Sequence, residues 1–233
     1  MTTAPRQLVY QFTMTLQEIT PAIWRRLQVP ATYTFWDLHV ALQDAMGWLD
    51  YHLHVFRLRR PPKQIWIEIG IPDDEGSDDQ VLSGRDIPLR TYFTVPGQTA
   101  SYLYDFGDGW HHEVVLEGIL LKEHGVKYPR CLAGARACPP EDCGSVPGYE
   151  RLLDIFRHPG HADYQDTIAW LKGHAKNYYP SLNFSQFVEG RRWCPWARAG
   201  LEEVRVFAGD EPCNGEERCR ALARFYALQS TIN

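Results

Sequence analysis

The stretch Ser101–Leu121, SYLYDFGDGWHHEVVLEGILL, constrains the fold more than any other part of the chain. Two runs of β-forming residues flank Asp108-Gly109. That dipeptide suits a tight hairpin because a type I′ turn needs positive φ at both central positions. A hairpin commits its two strands to an antiparallel sheet. With the turn centred on Asp108-Gly109, Leu103 faces Val114, Ser101 faces Leu116, and Asp105 lies opposite His112. This register predicts one face carrying Leu103, Trp110, Val114 and Leu116 around an Asp105–His112 pair. The pair reads either as a lock on the hairpin or as a carboxylate that orients a histidine for metal binding or proton transfer. The letters D-F-G within the stretch do not make a kinase. A Gly-rich loop, an H-R-D segment and an A-P-E segment are all missing from the sequence.

The surrounding pattern extends this sheet. QLVYQFTMTL (7–16) alternates with period two, placing Leu8, Tyr10, Phe12, Met14 and Leu16 on one side. PAIWRRLQVP (21–30), YHLHVFRL (51–58) and QIWIEIG (64–70) read as further strands. Between them TFWDLHVALQDAMGW (34–48) has helical spacing, with Thr34 as N-cap and Gly47 as the closing residue. PDDEGSDDQ (72–80) reads as a solvated acidic loop. YPRCLAGARACPPEDCGSVPG (128–148) reads as a long Gly/Pro/Cys-rich loop, of a length that points to function or to something tying it down. Helices are expected at 148–156, 162–173, 184–190 and 214–229. The class is α+β, a mainly antiparallel sheet packed by helices with a helix-rich C-terminal part. A domain over 1–190 and a helical extension over 191–233 follow.

Composition narrows the function. Eight tryptophans and twelve tyrosines supply an aromatic core. A net charge of −5 gives no global field for nucleic acid or anionic membranes, although Arg57, Arg59 and Arg60 make a local basic cluster. The N-terminal stretch lacks the pattern of a secretory signal, and no apolar run is long enough to span a bilayer, so a soluble cytoplasmic protein is expected.

Metal chemistry is the sharpest functional reading. Cys131, Cys138 and Cys143 fall in one loop, and thiolates with imidazole select zinc. His112 or one of Cys194, Cys213 and Cys219 would complete a tetrahedral set. Ordinary buried cysteines are the competing reading. His52 and His54, two apart on an expected strand, share a face, with His39 or Asp50 nearby. Convergence of His52, His54, Asp105 and His112 would make a metal-dependent hydrolase. Glu141 and Asp142 offer acid–base groups or loop bracing. No nucleophile elbow or phosphate-binding loop is present in the sequence.

Four segments in order, IWRRLQVP (23–30), FWDLHVALQDAMGWLDYHLHVF (35–56), YLYDFGDGWHHEV (102–114) and CLAGARACPPEDCGSVPGYERLL (131–153), resemble the plasmid pRiA4b open-reading-frame-three-like family. That family includes passenger proteins of insertion sequences. The resemblance covers roughly residues 7–190 and implies an α+β fold; it brings no assigned activity. Ser145 departs from it, since relatives carry a second glycine there. The resulting expectation is a binding or interaction module for an unknown protein partner or ligand. Its surface would be formed by Asp105, Asp108, Trp110, Glu141 and Asp142, with zinc as a structural brace. A nucleic-acid accessory role is the other alternative.

Overall fold

The computed structural model describes residues 7–48, 50–60, 65–72, 81–136 and 138–178. Strand β1 (Leu8–Leu16) buries Tyr10, Phe12, Met14 and Leu16 and leaves Gln11, Thr13 and Thr15 half-exposed, as a period-two strand with one covered face must. It pairs antiparallel with β2 (Ile23–Pro30) and with β7 (Trp110–Leu121). The remaining strands are β3 (His54–Arg60), β4 (Ile65–Gly70), β5 (Leu82–Ser83), β6 (Thr99–Tyr104) and β8 (Arg130–Ala135). They complete an eight-stranded sheet in the order β5-β4-β3-β6-β7-β1-β2-β8. Among the described residues only the short β4–β5 pairing is parallel, which fits the expected mainly antiparallel class.

Helix α1 (Phe35–Met46) lies on the covered face. Its start is a capping box. The Thr34 Oγ1 accepts from the Asp37 N–H, and the Asp37 carboxylate accepts from the Thr34 N–H. Gly47, at φ 88°, ends it in the left-handed conformation. Phe35, Leu38, Ala41, Leu42 and Ala45 pack onto an aromatic cluster in which Phe35 meets Phe56 at 5.3 Å and Phe56 meets Tyr102 at 4.7 Å. Each such fully buried ring contributes roughly 1.5–3 kcal/mol. Arg25 is buried beside the C-terminal end of α1. Its guanidinium donates to the carbonyls of Trp24, Ala45, Ala135 and Arg136, tying β2, α1 and the end of β8 together. A side chain at Gly134 would meet Arg25 Cδ and the Trp24 carbonyl, both at 2.8 Å, so the arginine and the glycine require each other.

The outer face is polar. Glu117 accepts from both nitrogens of the Arg26 fork and from Thr13 and Gln11, and these contacts hold its carboxyl at a pKa of about 2. Helices α2 (Ser145–Arg157) and α3 (Tyr164–Tyr178) follow β8 and pack on each other. The helices expected at 184–190 and 214–229, the extension 191–233 with Cys194, Cys213 and Cys219, and all of the acidic loop except its first residue lie outside the described residues.

Three expectations change. The segment 128–148 is not loop throughout: Arg130–Ala135 is an edge strand on β2, which its small residues disguised in the sequence. β3 begins at His54, so His52 sits in a bend before it and the two histidines do not share a strand face. The central hairpin also has another register. Leu103 pairs with His111 rather than Val114, and Tyr102 pairs with His112. From His111 to Val114 is three positions, an odd shift, so the partner strand turns over. Tyr102, Tyr104, Trp110, His112, Val114 and Leu116 all face the core, and Asp105 is not opposite His112.

Candidate metal centre

Five residues, Asp105 to Gly109, separate β6 from β7, and Asp105 shapes them. Its backbone is left-handed at φ 56°; its Oδ1 accepts from the N–H groups of Gly107 at 2.9 Å and Asp108 at 3.2 Å. Its carbonyl accepts from the Gly109 N–H at 2.6 Å. The side chain thus satisfies amides that a two-residue turn would leave to water, and this sets the observed register. Asp105 also donates its own N–H to the Leu53 carbonyl, drawing the segment before β3 against the loop.

A third segment closes on these two. Trp48 Nε1–H donates to the Pro139 carbonyl, Gly144 N–H to Asp108 Oδ2, and Tyr104 OH to Glu141 Oε1. Tyr104 in turn accepts from the Tyr51 N–H; burial and the Glu141 carboxylate push its hydroxyl far above the usual tyrosine range. At the rim of this junction stand His52, Asp105 and Asp142. His52 Nε2 lies 3.0 Å from Asp142 Oδ1 and 3.5 Å from Asp105 Oδ2. One ligand atom from each of the three falls within 4.8 Å of the others. Asp105 is buried, His52 half-buried, and the Asp142 side chain 54% exposed, so the cluster opens outward. Asp142, like Asp105, is left-handed at φ 56°. Backbone strain of this kind gathers at functional sites.

A second cluster, His39, Asp50 and His54, lies close by but inside. Gln43 Nε2 donates to Tyr102 OH at 2.9 Å, and Tyr102 OH lies 2.8 Å from His39 Nδ1. His39 Nε2 lies 2.7 Å from Asp50 Oδ1. Because a carboxylate only accepts, His39 donates from Nε2 and receives at Nδ1 from Tyr102, giving a directed chain Gln43–Tyr102–His39–Asp50. The rings of His39 and His54 stack with centroids 3.5 Å apart at an 8° interplanar angle. An imidazole binds a metal through an in-plane lone pair at about 2.0–2.1 Å. Parallel planes this far apart share no point, so the two rings cannot grip one ion. This cluster is a packed core element.

The candidates named from sequence therefore part company. His52 and Asp105 come together with Asp142. His54 joins His39 and Asp50, the neighbours expected for it. His112 is buried elsewhere, with Nδ1 3.2 Å from the Tyr102 carbonyl and the ring edge-on to Trp48 at 5.3 Å. Burial lowers its pKa to about 3. The hydrolytic foursome His52, His54, Asp105 and His112 thus does not converge. Nor do Cys131, Cys138 and Cys143 form a ligand set with His112; among the described residues, the two clusters of metal-ligand spacing contain no cysteine. Cys131 and Cys138 are buried, and burial together with the Asp108 charge pushes the Cys143 thiol well up. Of the expected surface, Asp108 is half-buried and Asp142 exposed, whereas Trp110 and Glu141 are fully buried. Asp142 as a partner of His52 escaped sequence reasoning because the two are 90 positions apart.

Fold and site together define a class: an α+β protein with a one-sided antiparallel sheet, whose three most distinctive segments meet at one rim. Its family follows from comparison. The chain belongs to the family described as "Plasmid pRiA4b ORF-3-like protein", whose profile matches residues 8–189. It is 34% identical over 178 residues to "Uncharacterized protein y4hQ" of Sinorhizobium fredii (strain NBRC 101917 / NGR234), covering 76% of this chain and 88% of that one. It is also similar to a crystal structure described as "Protein of Unknown Function MM3350 from Methanosarcina mazei Go1", at 43% identity and a TM-score of 0.64 over 71% of this chain and 90% of that one. Among the described residues no helix is long and apolar enough to cross a membrane.

Proposed function

We propose that the chain is a binding module that takes a divalent cation at His52, Asp105 and Asp142 and uses the ion's open side to hold a ligand or partner. The spacing carries this reading. Ligands about 2.1 Å from an ion stand about 3.0 Å apart at right angles and about 3.4 Å apart at a tetrahedral angle. The contacts from His52 Nε2 measure 3.0 and 3.5 Å. One imidazole with two carboxylates suits zinc or manganese better than calcium or copper. Zinc thus stays the favoured ion, with carboxylates in place of the cysteines. Asp105 is held by two amide donors and needs little reorganisation to bind, while the exposed Asp142 side chain leaves an approach from solvent. Service to a plasmid or mobile element is part of the same proposal, and its plasmid part rests on the family's description.

The test is calorimetric titration of the chelator-treated full chain with zinc and manganese, alongside His52→Ala and Asp105→Asn. The expected result is one ion per chain and at least about a tenfold loss of affinity in each variant. Absence of binding in the unaltered chain, or equal binding in both variants, would remove the reading.

A further inference from the structure

The outer face of the sheet carries a cavity of about 580 Å³ that the metal cluster does not use. Its floor follows from the strand register. Arg57 on β3 lies opposite Ser101 on β6, and Ser101 lies opposite Glu113 on β7, so the three form one row across the sheet. Arg59, two residues along from Arg57, shares its face and pairs with Trp66 on β4. Trp66 is 60% exposed, and the Arg59 guanidinium lies over its ring at 4.9 Å. His111, one row from Glu113 on the same face of β7, closes the far wall.

This lining has a polarity. At one end stand two arginines, of which Arg57 is held through Nε by Glu68 at 2.5 Å. Arginine presents a planar fork matched to the oxygens of a phosphate. Next to them lies an exposed indole, a surface on which a flat ring stacks and which the Arg59 guanidinium covers in this structure. At the other end Glu113 accepts hydrogen bonds only, so it calls for a ligand rich in N–H or O–H donors. Arg57 and Glu113 are two strands apart, about 10 Å between their backbones. Glu68 and Glu113 would repel a continuous phosphate backbone. A single anionic group, a flat ring and a donor-bearing body remain. The cavity falls within the roughly 300–1,000 Å³ of small-molecule sites.

We infer that this groove is a mononucleotide site. Arg57 and Arg59 hold the phosphate, Trp66 stacks on the base once Arg59 swings onto the phosphate, and Glu113 receives hydroxyl or amino donors. The inference is independent of the metal reading.

The test is calorimetric titration of the full chain at low salt, with chelator present so that the ion cluster contributes nothing. The titrants are AMP, GMP, CMP and UMP, their nucleosides, inorganic phosphate and a 5′-phosphorylated oligothymidylate. At least one mononucleotide should saturate one site, about tenfold or more tighter than its nucleoside and than phosphate. Trp66→Ala and Arg59→Ala should each weaken it by about tenfold with unchanged melting temperature, and His52→Ala should leave it unaltered. Three results would overturn the inference: no mononucleotide saturating at millimolar concentration, undiminished binding in both groove variants, or tighter binding of the oligonucleotide than of every mononucleotide, which would mark a strand-binding surface.

Discussion

Two clusters of histidine and aspartate both draw on residues 50–54, and they behave as opposites. In the inner one, His39 and His54 stack face to face, and Asp50 closes a hydrogen-bond chain that begins at Gln43. In the outer one, His52 faces two carboxylates from distant loops, and one of them is exposed. Residue type is nearly the same, so it cannot be what separates scaffold from site. Ring orientation and access to solvent separate them. The inner rings have spent their geometry on packing; the outer imidazole points its Nε2 at two carboxylates, one of them open to solvent.

The strongest way to break this contrast is His39→Ala. It leaves a cavity and strips a partner from Tyr102 and Asp50, so we expect a loss of about 3–5 kcal/mol in chemical denaturation, with ion binding by the folded fraction retained. Loss of ion binding without loss of stability would reverse the assignment of the two clusters. Acid acts on a fourth histidine. With a folded pKa of about 3 against about 6.5 in the unfolded chain, His112 is neutral in both states above pH 6.5, and its contribution is then complete. As pH falls below 6.5 only the unfolded chain takes the proton. Stability should therefore drop by about 2 kcal/mol between pH 7.5 and 5, and the drop should be shallower in His112→Gln. A parallel dependence in the variant would reassign the effect.

Smaller effects sharpen the outer cluster. Ser145, the first residue of α2, sits at φ 66°, next to Gly144 at φ 89°, where the loop that delivers Asp142 ends. Ser145→Gly should relieve that backbone and raise stability by about 0.5–1 kcal/mol, read from the denaturation midpoint. A decrease would mean that the serine side chain contributes something the backbone argument misses. Last, His52→Ala should change stability by less than about 0.5 kcal/mol in the absence of metal, because the residue is half-buried in a bend. A large loss would make the outer cluster scaffold as well.

Much of the frame was legible in the residues. Thr34 and Gly47 bound α1 because capping chemistry is local, and the alternation in β1 named its own buried face. The family motifs pointed to the right segments. The hairpin register was not legible, since Asp108-Gly109 advertises a two-residue turn while Asp105, three residues before Asp108, caps a longer loop with its side chain. β8 hid because Cys131, Ala133, Gly134 and Ala135 lack the bulky β-formers that mark a strand, although Gly134 is small for a reason, the close passage of Arg25. The open cluster hid for a different reason: its members have no common spacing, and only the completed fold brings them together.

The departure at Ser145 acquires a physical meaning in this light. The glycine that the family resemblance implies at 145 is the residue a left-handed backbone prefers, and this chain holds the turn with a residue that does not prefer it.

His52 and Asp142, ninety positions apart in the chain, meet at one rim. An ion between them would act as a removable cross-link of the folded chain, tying the segment before β3 to the loop before α2 and stabilising the only state that presents the site. Local metal concentration would then set the lifetime of the whole fold as well as the occupancy of one site, and the chain would persist longest where its ion is plentiful.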